Sequence, residues 1–100
     1  MLKTSILACA AGLLATPAFA GVCEGTVFGL SSHYDPATGS GFLAVRAGPH
    51  ASAQQVGELY NGAPVEIDDH QGNWYLIVSE KHEQLSGWAS AKWIHTDCQW

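Results

Sequence analysis

The chain has 100 residues, 47% of them hydrophobic, and a formal charge of −5 at pH 7. That length holds one domain and no second. Four Lys and Arg against nine Asp and Glu argue against a phosphate backbone or an anionic lipid surface as partner.

The first 20 residues read as a secretory signal peptide. Lys3 supplies the positive n-region, Ser5 to Leu14 the apolar run, and Ala18-Phe19-Ala20 the cleavage site, with Pro17 upstream. The run is too short to span a bilayer. Ile6-Leu7-Ala8-Cys9 has an outline of a lipoprotein box, but the apolar run continues past Cys9 to Leu14, which favours the cut after Ala20. The expected mature domain is Gly21 to Trp100, in which Arg46, Lys81 and Lys92 face nine carboxylates, a charge of −6.

Cleavage leaves two cysteines, Cys23 and Cys98, close to the two ends of that domain. In an oxidising compartment they are expected to form a disulfide. A redox or metal pair is the weaker reading, since there is no C-x-x-C.

Strand signals dominate the mature domain. Thr26 to Leu30 is the first expected strand. Ser31 to Gly41 is a loop rich in Ser, Gly, Asp and Pro, with a turn at Asp35-Pro36. Phe42 to Ala47 is the second strand, closed by Gly48-Pro49. Gln55 to Tyr60 and Ala63 to Asp69 flank Asn61-Gly62, a strong hairpin signal. After a turn at His70-Gln71-Gly72 comes the most apolar strand, Asn73 to Ser79. Glu80 to Ser86 is a charged loop, Gly87-Trp88-Ala89 a short strand, and Ser90-Ala91-Lys92 a single helical turn leading into Trp93-Ile94. Five or six short strands in so small a domain must curl and close to hide their edges, which predicts an all-β barrel or sandwich.

Several of these segments, taken in order, resemble the bacterial SH3 (SH3b) domain family. Phe42-Leu43-Ala44-Val45-Arg46-Ala47-Gly48-Pro49 is similar to the family's opening signature. Val56-Gly57-x-Leu59 with Gly62 and Val65-x-Ile67 resembles its central hairpin. Gly72-Asn73-Trp74-Tyr75-x-Ile77, Gly87-Trp88-Ala89 and Trp93-Ile94 resemble its later strands. The match runs from about Thr26 to Ile94. It implies a small SH3-like barrel of about five bent strands, here with termini tied by Cys23–Cys98. It also implies an exported, non-catalytic module that binds a peptide or cell-wall polymer. The family's domains are often attached to wall-degrading enzymes; this one is expected to stand alone behind its signal peptide, with the periplasm favoured over the extracellular space.

The aromatics are the candidate ligand-binding residues, because Tyr and Trp offer flat apolar faces with polar edges. Alternation puts Tyr75 and Ile77 on one face of their strand and Trp74, Leu76 and Val78 on the other. The resemblance assigns the Ile77 side to the core. Trp74 is therefore expected to be partly exposed, with Tyr60 at the lip of the Asn-Gly turn and Tyr34 in the loop bordering the ligand groove. Leu43, Val45, Val56, Leu59, Val65, Ile67 and Ile94 are the expected core, joined by Trp88 and Trp93. Arg46, the only arginine, is expected to pair with an internal carboxylate, the functional alternative being a grip on a carboxylate ligand.

No catalytic residue, cofactor or metal site is expected. The five histidines lack helical metal spacing; Asp68-Asp69-His70 and His95-Thr96-Asp97 are possible pairs for a metal or a general base, but read first as polar surface turns. No serine has a nucleophile context. Two other readings stay open: an accessory or inhibitory subunit binding another exported protein, and a small metal-dependent enzyme.

Overall fold

The computed structural model describes residues 23–82 and 84–99. The expected signal peptide, with its cleavage site, lies outside the described residues. Seven strands are described: β1 (Cys23–Val27), β2 (Leu43–Arg46), β3 (Gln55–Leu59), β4 (Pro64–Gln71), β5 (Trp74–Ser79), β6 (Ser86–Ser90) and β7 (Ile94–Thr96), with a 3₁₀ turn at Ala91–Trp93 before the last. They form one antiparallel sheet in the order β3-β2-β6-β5-β4-β1-β7. The all-β class holds, with two strands more than about five.

Every strand sends at least one side chain into a single core. Val27, Leu43, Val45, Leu59, Val65, Ile67, Ile77, Ala89 and Ile94 form it. One sheet can share one core among all its strands only by rolling onto itself, as an SH3-like barrel does. The Cys23–Cys98 disulfide joins the two ends of the described chain across 75 residues, with Cα atoms 5.9 Å apart.

Val56, an expected core residue, is instead 47% exposed. It lies three residues from buried Leu59, an odd spacing, and a strand cannot bury both. The inward position is Gly57, opposite Val45. Leu85 fills the space beside it, so close that a Cβ on Gly57 would strike Leu85 Cδ1. Trp88 is half-buried rather than core for the same reason: its neighbours Gly87 and Ala89 take the inward positions of β6. Trp93 is also half-buried and packs against the core from the 3₁₀ turn.

The Asn61-Gly62 turn does not make a hairpin. β3 pairs with β2, and β4 pairs with β1 and β5. The turn closes by Ala63 N–H to Tyr60 O (3.0 Å), with Gly62 at φ 89°, and carries the chain from one part of the sheet to another. Asn61 serves a different purpose. Its side chain accepts from Leu30 N–H and donates to Leu30 O, each at 3.0 Å, imitating a strand partner for the segment after β1.

The first strand begins earlier than expected, at Cys23, in register with Ile67. Gly25 conceals it, because glycine weakens a strand signal. Here a Cβ would lie 2.7 Å from Ile94 Cγ2, so glycine is what lets β7 close on β1.

Candidate functional site

The long loop between β1 and β2 is tied into a definite shape. Asp35 and Ser40 bridge to each other through both backbone amides, at 2.9 and 3.0 Å. Asp35 Oδ1 accepts from Ala37 N–H at 3.0 Å, and Ser40 Oγ donates to His33 O at 2.8 Å. Gly41 sits at φ 84°, where a Cβ would meet His33 O and Tyr34 Cα at 2.7 Å, so only glycine lets the loop fold back on itself.

This shape delivers Tyr34 to the sheet. Its hydroxyl donates to Glu58 of β3, 3.0 Å from Oε1. Tyr60 donates to the same oxygen at 2.9 Å, and Gln55 Nε2 donates to Oε2 at 3.4 Å. The two tyrosine rings lie 6.3 Å apart, and Phe42 lies 5.6 Å from Tyr34. Tyr34 and Tyr60 are 51% and 52% exposed. Both phenols are held above their ordinary ionisation range, chiefly because each donates a hydrogen bond to the Glu58 carboxylate. The result is a fixed aromatic step on the surface, anchored at its polar edge.

Trp74 stands apart from that step, in a groove on the outer face of β2, β6 and β5. Arg46, Gln55, Phe42, Ala44, Ser90 and Trp93 also line this groove of about 450 Å³, and Pro36 and Gly39 of the long loop overhang it. Trp74 is half-buried there and pairs with Ser90 across the strands. Of the three sequence-predicted residues, the fold thus brings Tyr34 and Tyr60 together and puts Trp74 in a neighbouring groove. Phe42 links the two, touching Tyr34 and lining the groove; Gln55 links them a second time. The groove lies between the long loop and the strands, not beside the Asn-Gly turn. A smaller groove of about 330 Å³ lies beyond Tyr60, walled by Pro64, Lys81 and His82.

Sequence reasoning misses Glu58 and Phe42. Glu58 is one carboxylate among nine, and no spacing marks it as the acceptor for two tyrosines. Among the described residues Arg46 makes no pair with a carboxylate, contrary to expectation. Instead Nη1 donates to the Ala53 carbonyl at 3.1 Å, because the nearest part of the β2–β3 connection offers backbone and no acid.

No group of three or more His, Cys, Asp or Glu among the described residues could hold a metal ion. No described helix is long and apolar enough to cross a membrane.

A rolled antiparallel sheet with an ordered loop and an exposed aromatic face defines a small SH3-like barrel of the binding-module type. The family model for the bacterial SH3 domain matches residues 41–95, and the chain belongs to that family. No curated protein matches the chain. This family consists of binding modules, often associated with the cell wall and generally non-catalytic. Membership and the disulfide are both consistent with export.

Proposed function

We propose that the protein is an exported, non-catalytic binding module that recognises a peptide or peptidoglycan ligand across its aromatic face. One observation carries this reading: Tyr34, Phe42 and Tyr60 form a partly exposed cluster fixed by Glu58 and continuous with the Trp74 groove. Rings held in place before binding lose little freedom when a ligand lies on them. Their flat faces suit a proline-rich or extended peptide, or the apolar face of a sugar. Residues 1–20 would direct that export as a signal peptide and be removed in the course of it.

The test is co-sedimentation with purified peptidoglycan sacculi at physiological salt, with Trp74→Ala and Tyr34→Ala beside the wild type. The wild type is expected in the pellet and both variants in the supernatant, with melting curves confirming that all three are folded. Wild type remaining in the supernatant would reject the wall as ligand.

A second reading has one observation in its favour. Val56 is exposed on β3, which ends the sheet and, among the described strands, pairs with β2 alone. A free strand edge with an exposed apolar side chain can add a strand from another protein. Under that reading Val56→Lys abolishes a pull-down complex and leaves sacculus binding untouched.

A further inference from the structure

The charge around the Trp74 groove is opposite to that of the chain. The protein carries −5 overall and nine carboxylates. None of the eight carboxylates among the described residues lines this groove. Asp35, next to Pro36 at its rim, spends Oδ1 on the Ala37 amide. Glu58, reached through Gln55, already accepts two phenols.

Two of the three described cations border the groove. Arg46 lines it half-buried. Lys92 holds its Nζ 5.0 Å from the ring centroid of Trp93, which forms part of the wall. Arg46 uses Nη1 on the Ala53 carbonyl, and no carboxylate among the described residues pairs with it. A guanidinium has five donors in a rigid fork that matches a carboxylate. Here the sheet register puts Arg46 opposite Trp88.

Resting on the binding-module reading, we propose that this groove is a carboxylate-recognition subsite for a short extended peptide. The C-terminal carboxylate of the peptide meets the Arg46 fork, Lys92 adds long-range attraction, and the preceding residue lies against Trp74 and Trp93. Partial desolvation by two indoles and Phe42 strengthens the charge-assisted bonds. The negative charge elsewhere on the surface repels anions that miss the groove.

The experiment is an NMR titration of the protein with N-acetyl-trialanine as the free acid and as its C-terminal amide. The indole N–H signals of Trp74 and Trp93 report on the site. The free acid is expected to shift both signals saturably, and the amide at least about tenfold more weakly, the usual value of a charge-assisted bond. Added salt weakens the free acid alone. Arg46→Gln brings the free acid down to the level of the amide, whereas Arg46→Lys recovers only part, lacking the fork. The wild-type comparison stands even if the Arg46 variants fold poorly. Equal shifts by acid and amide, or no shift by either, overturn the subsite. If Arg46→Gln still pellets with sacculi, the module reading survives and the carboxylate subsite falls. If the free acid binds but sacculi do not, the subsite stands and the wall is rejected as its source.

Discussion

The hydroxyl of Tyr34 and the carboxylate of Glu58, 24 residues apart, are joined at 3.0 Å, and this bond docks the long loop onto the outermost strand, β3. Tyr60, just past the end of β3, donates to the same oxygen. One carboxylate therefore fixes the polar edges of two rings that also meet each other, Tyr34 meeting Phe42 as well. The loop's internal bridge between Asp35 and Ser40 fixes its tip, and Glu58 fixes its base to the barrel.

The first prediction concerns those two phenols. Both should ionise above the usual tyrosine value of about 10, because each phenol donates a hydrogen bond to Glu58 and the carboxylate's charge then disfavours phenolate. Glu58→Gln removes the charge, and both should fall back. A spectrophotometric titration of tyrosinate reads the difference. The linkage has a definite sign. A phenol whose folded value is raised contributes stability that is complete below its unfolded value, and this is lost as pH rises through the folded one. Wild type should therefore lose stability in strong alkali more steeply than Glu58→Gln. Superimposable titration curves would remove Glu58 from its assigned role.

Much of this barrel is legible in the sequence because strand chemistry is local. Asn73 to Ser79 reads as a strand from its own residues, one residue longer than the observed Trp74–Ser79, and Leu43, Val45, Val65, Ile67 and Ile94 are core by alternation and by the family signature. Failures come where a long-range partner decides. Val56 reads as core until Leu85, arriving from another loop, is seen to occupy the inward side of β3. Asn61-Gly62 reads as a hairpin because the local turn chemistry is that of one; only the pairing of β4 with β1 shows otherwise. Tyr34 and Tyr60 can be named singly. That they meet over Glu58 depends on the fold of an 11-residue loop, which no periodicity encodes.

Two glycines of similar tightness should respond differently to alanine. At Gly87 a Cβ would lie 2.6 Å from the Arg46 carbonyl oxygen, part of a paired strand that cannot retreat. Gly87→Ala is expected to cost about 1–3 kcal/mol in denaturant unfolding, the usual range for overpacking. At Gly57 the obstruction is the end of the Leu85 side chain, which can rotate away. Gly57→Ala should cost clearly less. The reverse order would mean that the β2–β6 pairing is not as tight as described.

The disulfide should be a large part of the stability of so small a domain. Closing a loop of 75 residues is worth about 4–5 kcal/mol in the chain-entropy picture. Cys23→Ala combined with Cys98→Ala should lower the unfolding free energy by about that amount, and reductant should do the same to the wild type. The barrel signature lies between the cysteines, so the far-UV spectrum of any folded fraction should not change. A loss below about 1 kcal/mol would show that the ends are held without the bond.

The acidic face gives the last prediction. Glu24 of β1 stands directly opposite Glu66 of β4, an unfavourable like-charge pair. Asp68 lies near on β4, Glu80 follows β5, and His95 and Asp97 border the same hollow as Glu24 and Glu80. The carboxyl of Glu66 is pushed above its usual 4.5, first by sharing a hydrogen bond with Asp68 and then by the surrounding negative charge. Glu80 is raised as well, by partial burial and by Glu24. For a raised carboxyl the folded state prefers the proton. Its contribution to stability is therefore fully present below 4.5 and lost as pH rises through the folded value. The melting temperature should accordingly rise as the pH is lowered from 7 toward 4.5. Glu66→Gln should melt above wild type at pH 7, with the gap closing toward pH 4.5. High salt should narrow the same gap by screening the exposed charges. A gap that is constant across this pH range would assign the effect of the substitution to packing or hydrogen bonding instead of repulsion.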